Sequence, residues 1–176
     1  AKLALASKVA SMLGEVGRMA LVANGMRPSE RCQLNKRLLQ YVKVNDDGSQ
    51  SSFNYDFDLV DSPTYDVTLS LVVTNEADAF VARFKGAHDG DLIAKAIMLH
   101  DLITGQWRYA SAVDANTTLS IAKSADESDD ALEVFAYGIA LRPLSDSKYL
   151  FSPSASGALL TNTNVFEITN TTKSNS

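Results

Sequence analysis

The chain holds a single cysteine, Cys32, in 176 residues. An intrachain disulfide is therefore excluded, and a thiolate zinc site would lack its other ligands. Stability has to come from packing. Histidine is almost as scarce: His88 and His100 are the two present, and neither sits in a nucleophile motif such as G-x-S-x-G. No phosphate-cradling pattern of the form G-x-x-x-x-G-K-[ST] or G-x-G-x-x-G occurs. No apolar run approaches the roughly 18 residues of a membrane span, and the start AKLALASKVASM lacks the long apolar centre of a secretory signal. Two S-x-x-K matches, Ser120 to Lys123 and Ser145 to Lys148, lack the companion S-D-N and K-T-G elements. They read as turn and strand residues. With no convergent acid, base and nucleophile, an enzyme is not expected, and no cofactor or metal is assigned.

What is present is a chain 45% apolar and long enough for one sizeable core. Its charge is unevenly spread. The net charge of −5 divides into +6 over residues 1–43 and −11 over the remainder. The basic part reads either as solvated helix faces or as an element that meets something anionic, nucleic acid phosphate or the acidic remainder of the same chain or of a neighbouring subunit. Arg18, Arg27, Arg31, Lys36, Arg37 and Lys43 are the candidate nucleic-acid contacts. No aromatic interleaving accompanies them, so such contact is expected to be non-specific.

Within residues 3–22, Leu5, Val9, Met12, Leu13 and Val16 follow helical spacing, and Ala6, Ala10 and Gly14 form an adjacent small-residue row. Gly14 and Gly17 weaken a helix by up to about 1 kcal/mol each relative to Ala, so close packing is expected there. Asn24-Gly25 is a stop signal, and Ser29 a candidate N-cap for a second helix with Leu34, Leu38, Tyr41 and Val42 on its apolar face. Together these predict an N-terminal helical hairpin over 1–44.

From Phe53 the period shortens to two. Phe53, Tyr55, Phe57 and Leu59 alternate with polar residues, then Tyr65, Val67, Leu69, Leu71 and Val73 do the same, which predicts an antiparallel hairpin. AFVARF predicts a third strand, with a short helix over 76–85 as the alternative. Strand signals continue through LIAKAIMLHD, QWRYAS, TTLSIAK, ALEVFAYGIAL and KYLF, with turns between. This spacing predicts a mainly β protein, an antiparallel β-sandwich of immunoglobulin-like or jelly-roll-like type over 53–151. Residues 152–176, rich in Ser, Thr and Asn, read as a C-terminal arm with one further strand in NVFEITN.

The segment from Ala131 to Leu141 carries one charge, Glu133, and is apolar on both faces. A two-layer sandwich covers one face of each sheet. The face bearing Phe135, Tyr137, Ile139 and Leu141 therefore needs a cover, either the helical hairpin or another subunit, and these four are the candidate assembly residues.

In strand order and turn placement, residues 91–151, from DLIAKAIMLHDLITGQWRYASAV through TTLSIAK to DDALEVFAYGIALRPLSDSKYL, resemble the C-terminal half of an uncharacterised family common in Bacteroidota. Its members are immunoglobulin-type sandwiches ending in a similar SxSxYL strand. The resemblance implies a β-sandwich and no established activity. The N-terminal hairpin departs from that family.

The expected function is a structural, self-assembling subunit of a virion coat, tail or surface filament, a homo-oligomer located in a virion or at a cell surface. The alternative is a ligand- or glycan-binding module in which Trp107 and Tyr109, on one side of their strand, form a stacking platform; Trp107 reads equally as a core aromatic. HDGD and SADESDD gather carboxylates without EF-hand spacing and read as solvated acidic turns. Asn116 and Asn170 each begin a glycosylation sequon.

Overall fold

The structure is a computed structural model in which residues 2–24, 31–44, 51–145, 148–159 and 164–170 are described. Over the described residues it is mainly β, with antiparallel sheets and three short helices: α1 (Lys2–Leu13), α2 (Glu15–Ala23) and α3 (Arg31–Leu39). The expected first helix is divided at Gly14, which takes φ +53° and ends α1. A left-handed residue interrupts the helical hydrogen-bond ladder, and glycine adopts it without a Cβ clash. Gly14 is exposed, so conformation and not close packing explains it. Gly17 does serve packing, since a Cβ there would stand 2.5 Å from Leu34 Cδ2 on α3. Asn24 closes α2 through its N–H to Ala20 O, and its side chain ties the helix to the body by bonding Leu59 O and the Asp61 N–H. Gly25 and Ser29, the rest of the expected stop and cap, lie outside the described residues.

The second helix is shorter than its apolar pattern suggests. After Leu39 the chain turns, and β1 (Val42–Val44) pairs antiparallel with β2 (Ser51–Phe53). The hairpin expected from 53–59 and 65–73 does not form. Between Asn54 and Leu69 the chain runs outside any strand ladder, although the in-and-out alternation survives: Phe57 and Leu59 are buried while Asn54 and Asp56 are exposed. Side chains replace the missing ladder. The Phe57 N–H donates to Ser156 Oγ at 2.9 Å, Ser156 Oγ donates back to Phe57 O, and the Leu59 N–H donates to Ser154 Oγ. A buried amide needs a partner, and serine hydroxyls supply one as a neighbouring strand would.

The remaining strands are β3 (Ser70–Asn75), β4 (Ala79–Lys85), β5 (Leu92–Asp101), β6 (Trp107–Asp114), β7 (Thr118–Ala122), β8 (Leu132–Pro143), β9 (Tyr149–Phe151), β10 (Ala155–Leu159) and β11 (Val165–Thr169). Residues 79–85 are therefore strand, the helical alternative being excluded. One sheet runs β10-β8-β5-β6 with β9 beside the end of β8; the other runs β11-β3-β4-β7. The described part of 152–176 thus contributes one strand to each sheet.

Two cores result. Between the sheets lie Leu69, Leu71, Val73, Phe84, Ile97, Leu99, Val134 and Ala136 among others. On the outer face of the five-stranded sheet, Val9, Leu13, Val16, Leu21 and Leu38 of the helices meet Met98, Phe135, Tyr137 and Ile139. β8 feeds both cores because its side chains alternate between them. Gly138 lets the sheets approach: a Cβ there would stand 2.3 Å from Phe84 Cε2.

Candidate functional site

The four candidate assembly residues are Phe135, Tyr137, Ile139 and Leu141, and all are fully buried. Their cover belongs to the same chain. Tyr55 stacks on Phe135 with centroids 4.2 Å apart, Phe57 stacks on Tyr137 at 5.0 Å, and the helices complete the layer. Tyr137 Oη and Ser154 Oγ share a 2.7 Å hydrogen bond, and burial pushes the Tyr137 hydroxyl far above its usual range. Association through these four side chains is therefore corrected: of the two covers considered, the N-terminal segments are the one present. Removing that much apolar area from water is the dominant stabilising term, about 25 cal/mol per Å².

At one end of the same face, Trp107, His100 and Glu133 occupy directly opposite positions on β6, β5 and β8. The Trp107 and His100 rings stack at 4.0 Å with planes 5° apart. His100 Nδ1 lies 3.3 Å from Glu133 Oε1, which also accepts a 2.8 Å bond from the Tyr55 hydroxyl. Burial, and then this bond to Glu133, push the Tyr55 hydroxyl up. One carboxylate thus links the 53–60 segment to the sheet. Trp107 is half-buried, with one face taken by His100; Tyr109, two residues on, is 54% exposed. Of the two expected stacking residues, only Tyr109 presents most of its ring to solvent.

Beyond this row lies the β5–β6 turn, which the sequence predicts as a turn but not as a site. Leu102 and Ile103 stand 52% and 77% exposed. Every amide from Asp101 to Gln106 is hydrogen-bonded: Asp101 to Gln106 O, Leu102 to Ala131 O, Ile103 and Thr104 to Asp101 Oδ1, Gly105 to Asp101 O, and Gln106 to Thr104 Oγ1. Those donors, Thr104 first, hold the Asp101 carboxyl below the usual range, and Gly105 takes φ +77°. The available signal was a pair of branched aliphatics between Asp101 and Thr104-Gly105, where a tight turn ordinarily carries polar residues.

A second feature lies at the opposite edge of that sheet. An apolar groove of about 370 Å³ is lined by Phe53, Tyr55, Ala158, Phe166 and Ile168, together with Asn54, Asp56 and the buried Ser156. It sits where β10 pairs with β8 alone and β11 with β3 alone. Gly157 makes room for Phe166, whose ring occupies the position a Cβ would take.

The basic candidates are dispersed. Arg18 donates to Glu15 at 2.7 Å, and Arg37 forms a two-pronged pair with Asp61. Each pairing lowers the carboxyl and raises the guanidinium. Lys36 and Lys43 are exposed, whereas Arg27 and the side chain of Arg31 lie outside what the structure describes. The acidic loops are cross-linked to cations: Asp91 to Arg142, Glu127 to Arg108 and Asp129 to Lys123. Among the described residues no group of histidine, cysteine and carboxylates is arranged to hold a metal ion. Asn170, the first residue of its sequon, is buried, its side chain bonding Val67 O, Pro153 O and the Leu69 N–H. Asn116 is exposed.

No protein-family model matches the chain, and no curated protein matches it either. Among the described residues no helix is long and apolar enough to cross a membrane.

Proposed function

We propose that the chain is a structural, non-enzymatic subunit that associates with copies of itself, of the kind that builds a virion coat, a tail or a surface filament. The observation that carries this reading is the Leu102–Ile103 pair, two bulky aliphatic side chains more than half exposed on a fully hydrogen-bonded turn. An isolated exposed aliphatic is ordinary, whereas a pair on a rigid tip loses little conformational freedom on docking. Light scattering of the purified chain at tens of micromolar tests it. Assembly is expected; a strict monomer sinks the reading.

The sandwich is proposed to be of the immunoglobulin type, not the jelly-roll type. The order β10-β8-β5-β6 facing β3-β4-β7 matches the G-F-C-C′ and A-B-E order of such domains, with β11 added beside the first strand. This supports the resemblance of residues 91–151 to the Bacteroidota family as a proposal.

A second reading, glycan or ligand binding, is favoured by one observation: Tyr109 is 54% exposed beside Trp107 on the same strand face. Glycan-array binding abolished by Tyr109→Ala supports it; a blank array for the wild type removes it.

A further inference from the structure

We infer that β6 of one copy pairs antiparallel with β6 of a second copy about a two-fold axis at Ser111, joining two sheets into one continuous sheet; this rests on the self-assembly reading above. β6 ends the order β10-β8-β5-β6, so one side of it has no strand beside it. Opposite residues of an antiparallel ladder alternate between bonded and unbonded pairs. The Asp101 N–H bonds Gln106 O at 2.9 Å, which fixes the phase: Arg108, Ala110, Ala112 and Asp114 turn their main-chain groups to β5. The N–H and C=O of Trp107, Tyr109, Ser111 and Val113 therefore point away from the sheet, and among the described residues no hydrogen bond reaches them. Edge strands are ordinarily guarded against such pairing by a lysine, a proline, a bulge or short length. β6 has none of these. Its sequence is WRYASAVD, its register with β5 is unbroken from Trp107 to Asp114, and at 8 residues it exceeds the edge strands β7, β10 and β11 at 5 each.

Side chains select the occupant and the register. An axis at Ser111 sets Arg108 opposite Asp114 of the second copy, Tyr109 opposite its Val113 and Ala110 opposite its Ala112. The charge pattern makes the strand its own complement. A cation stands near one end and an anion at the other, so an antiparallel pair brings unlike charges together twice, whereas a parallel pair in register opposes Arg108 to Arg108. Both groups are within reach of a partner, since the Asp114 side chain is 44% exposed beside Lys95 and that of Arg108 34% exposed beside Glu127. On the other face the exposed Tyr109 ring gains an aromatic–β-branched contact with Val113. Neighbouring registers lose this match. An axis at Ala110 opposes Arg108 to Ala112, one at Ala112 opposes Asp114 to Ala110, and an axis between two residues sets outward main-chain groups against inward ones.

Sedimentation velocity of the full chain over a concentration series tests the contact, with thermal melts to establish that each variant is folded. Wild type is expected to associate as concentration rises. Ser111 is exposed, and Ser111→Pro removes an N–H that no described residue uses, so the chain keeps its own ladder. It is expected to weaken association at least about tenfold, as is Ser111→Lys, which sets two ammonium groups face to face on the axis. Oxidative cross-linking in a Cys32→Ser background reads the register. Ser111→Cys is expected to give a disulfide-linked dimer, because opposed residues of a bonded pair have Cα atoms about 5.5 Å apart. Tyr109→Cys is expected to stay unlinked, since Tyr109 faces Val113 and its two copies stand about 13 Å apart. If Ser111→Pro and Ser111→Lys both associate as wild type does, the β6 contact is overturned while self-assembly stands. If Tyr109→Cys links and Ser111→Cys does not, the axis at Ser111 is overturned. If wild type is monomeric throughout, the contact and the self-assembly reading fall together.

Discussion

Lys95 is 1% exposed in the middle of β5, and its amine reaches Asp114 on β6, a carboxylate 44% exposed. One end of this ion pair is in the inter-sheet core and the other is in water. Removing the wet end leaves the dry one uncompensated. Asp114→Ala is expected to cost about 1–3 kcal/mol, below the roughly 3–5 of a fully buried pair because water screens Asp114. The double variant Lys95→Met, Asp114→Asn is expected to recover most of that loss. Urea titrations of the two proteins measure the difference.

The same pair makes stability depend on acid. The Lys95 bond, first among the causes, holds the Asp114 carboxyl below its usual range. A lowered folded-state value means a contribution that is complete above the unfolded value of about 3.9 and lost as pH falls through the folded one. Between wild type and Asp114→Asn, the stability difference is expected to be constant near neutrality and to shrink below about pH 4. A difference that grows on acidification contradicts it.

Gly138 sits beneath the Phe84 ring, where an added Cβ would stand 2.3 Å from Cε2. Gly138→Ala is expected to destabilise by about 1–3 kcal/mol, with Phe84→Leu in the same chain relieving part of the loss. Thermal melts of the single and double variants decide it.

Tyr137 is predicted to matter for folding and not for association. Tyr137→Phe leaves Ser154 Oγ without its 2.7 Å partner and is expected to cost about 1 kcal/mol. Its sedimentation at matched folded concentration should be unchanged. Altered association at unchanged stability would reinstate this face as an interface.

Arg37 tests whether the basic segment meets phosphate. Asp61→Asn removes its two-pronged partner. If Arg37 is among the nucleic-acid contacts, duplex binding tightens, and the slope of log K against log salt steepens by about 0.9, the amount for one more neutralised phosphate. Unchanged binding takes Arg37 out of that set.

Much of the fold was legible because burial imposes periodicity. The helical stripe from Val9 to Val16, the alternation in β5, β6 and β8, and the double-sided apolar character of β8 each report which faces leave water. Where pattern and pairing part company, the sequence misled. Phe53 to Leu59 alternates as a strand does, yet its amides at Phe57 and Leu59 are satisfied by Ser156 and Ser154, about a hundred residues away in the chain. Alternation describes side chains; a ladder needs a neighbour at the right distance. For the candidate site the gap is wider. The exposed turn was readable as an anomaly of composition, whereas the groove arises where β10 and β11, consecutive in the chain, join different sheets.

Composition and periodicity were sufficient for a mainly β chain with a helical N-terminal part, a stability resting on packing, and a strand that needs cover on both faces. Those properties follow from local chemistry, which each residue carries wherever the chain goes. Which cover is used, which strands are neighbours, and which aliphatics are left in water depend on contacts between residues far apart in the chain. Such contacts are chosen by the whole fold, since burying one surface removes it from the reach of every other.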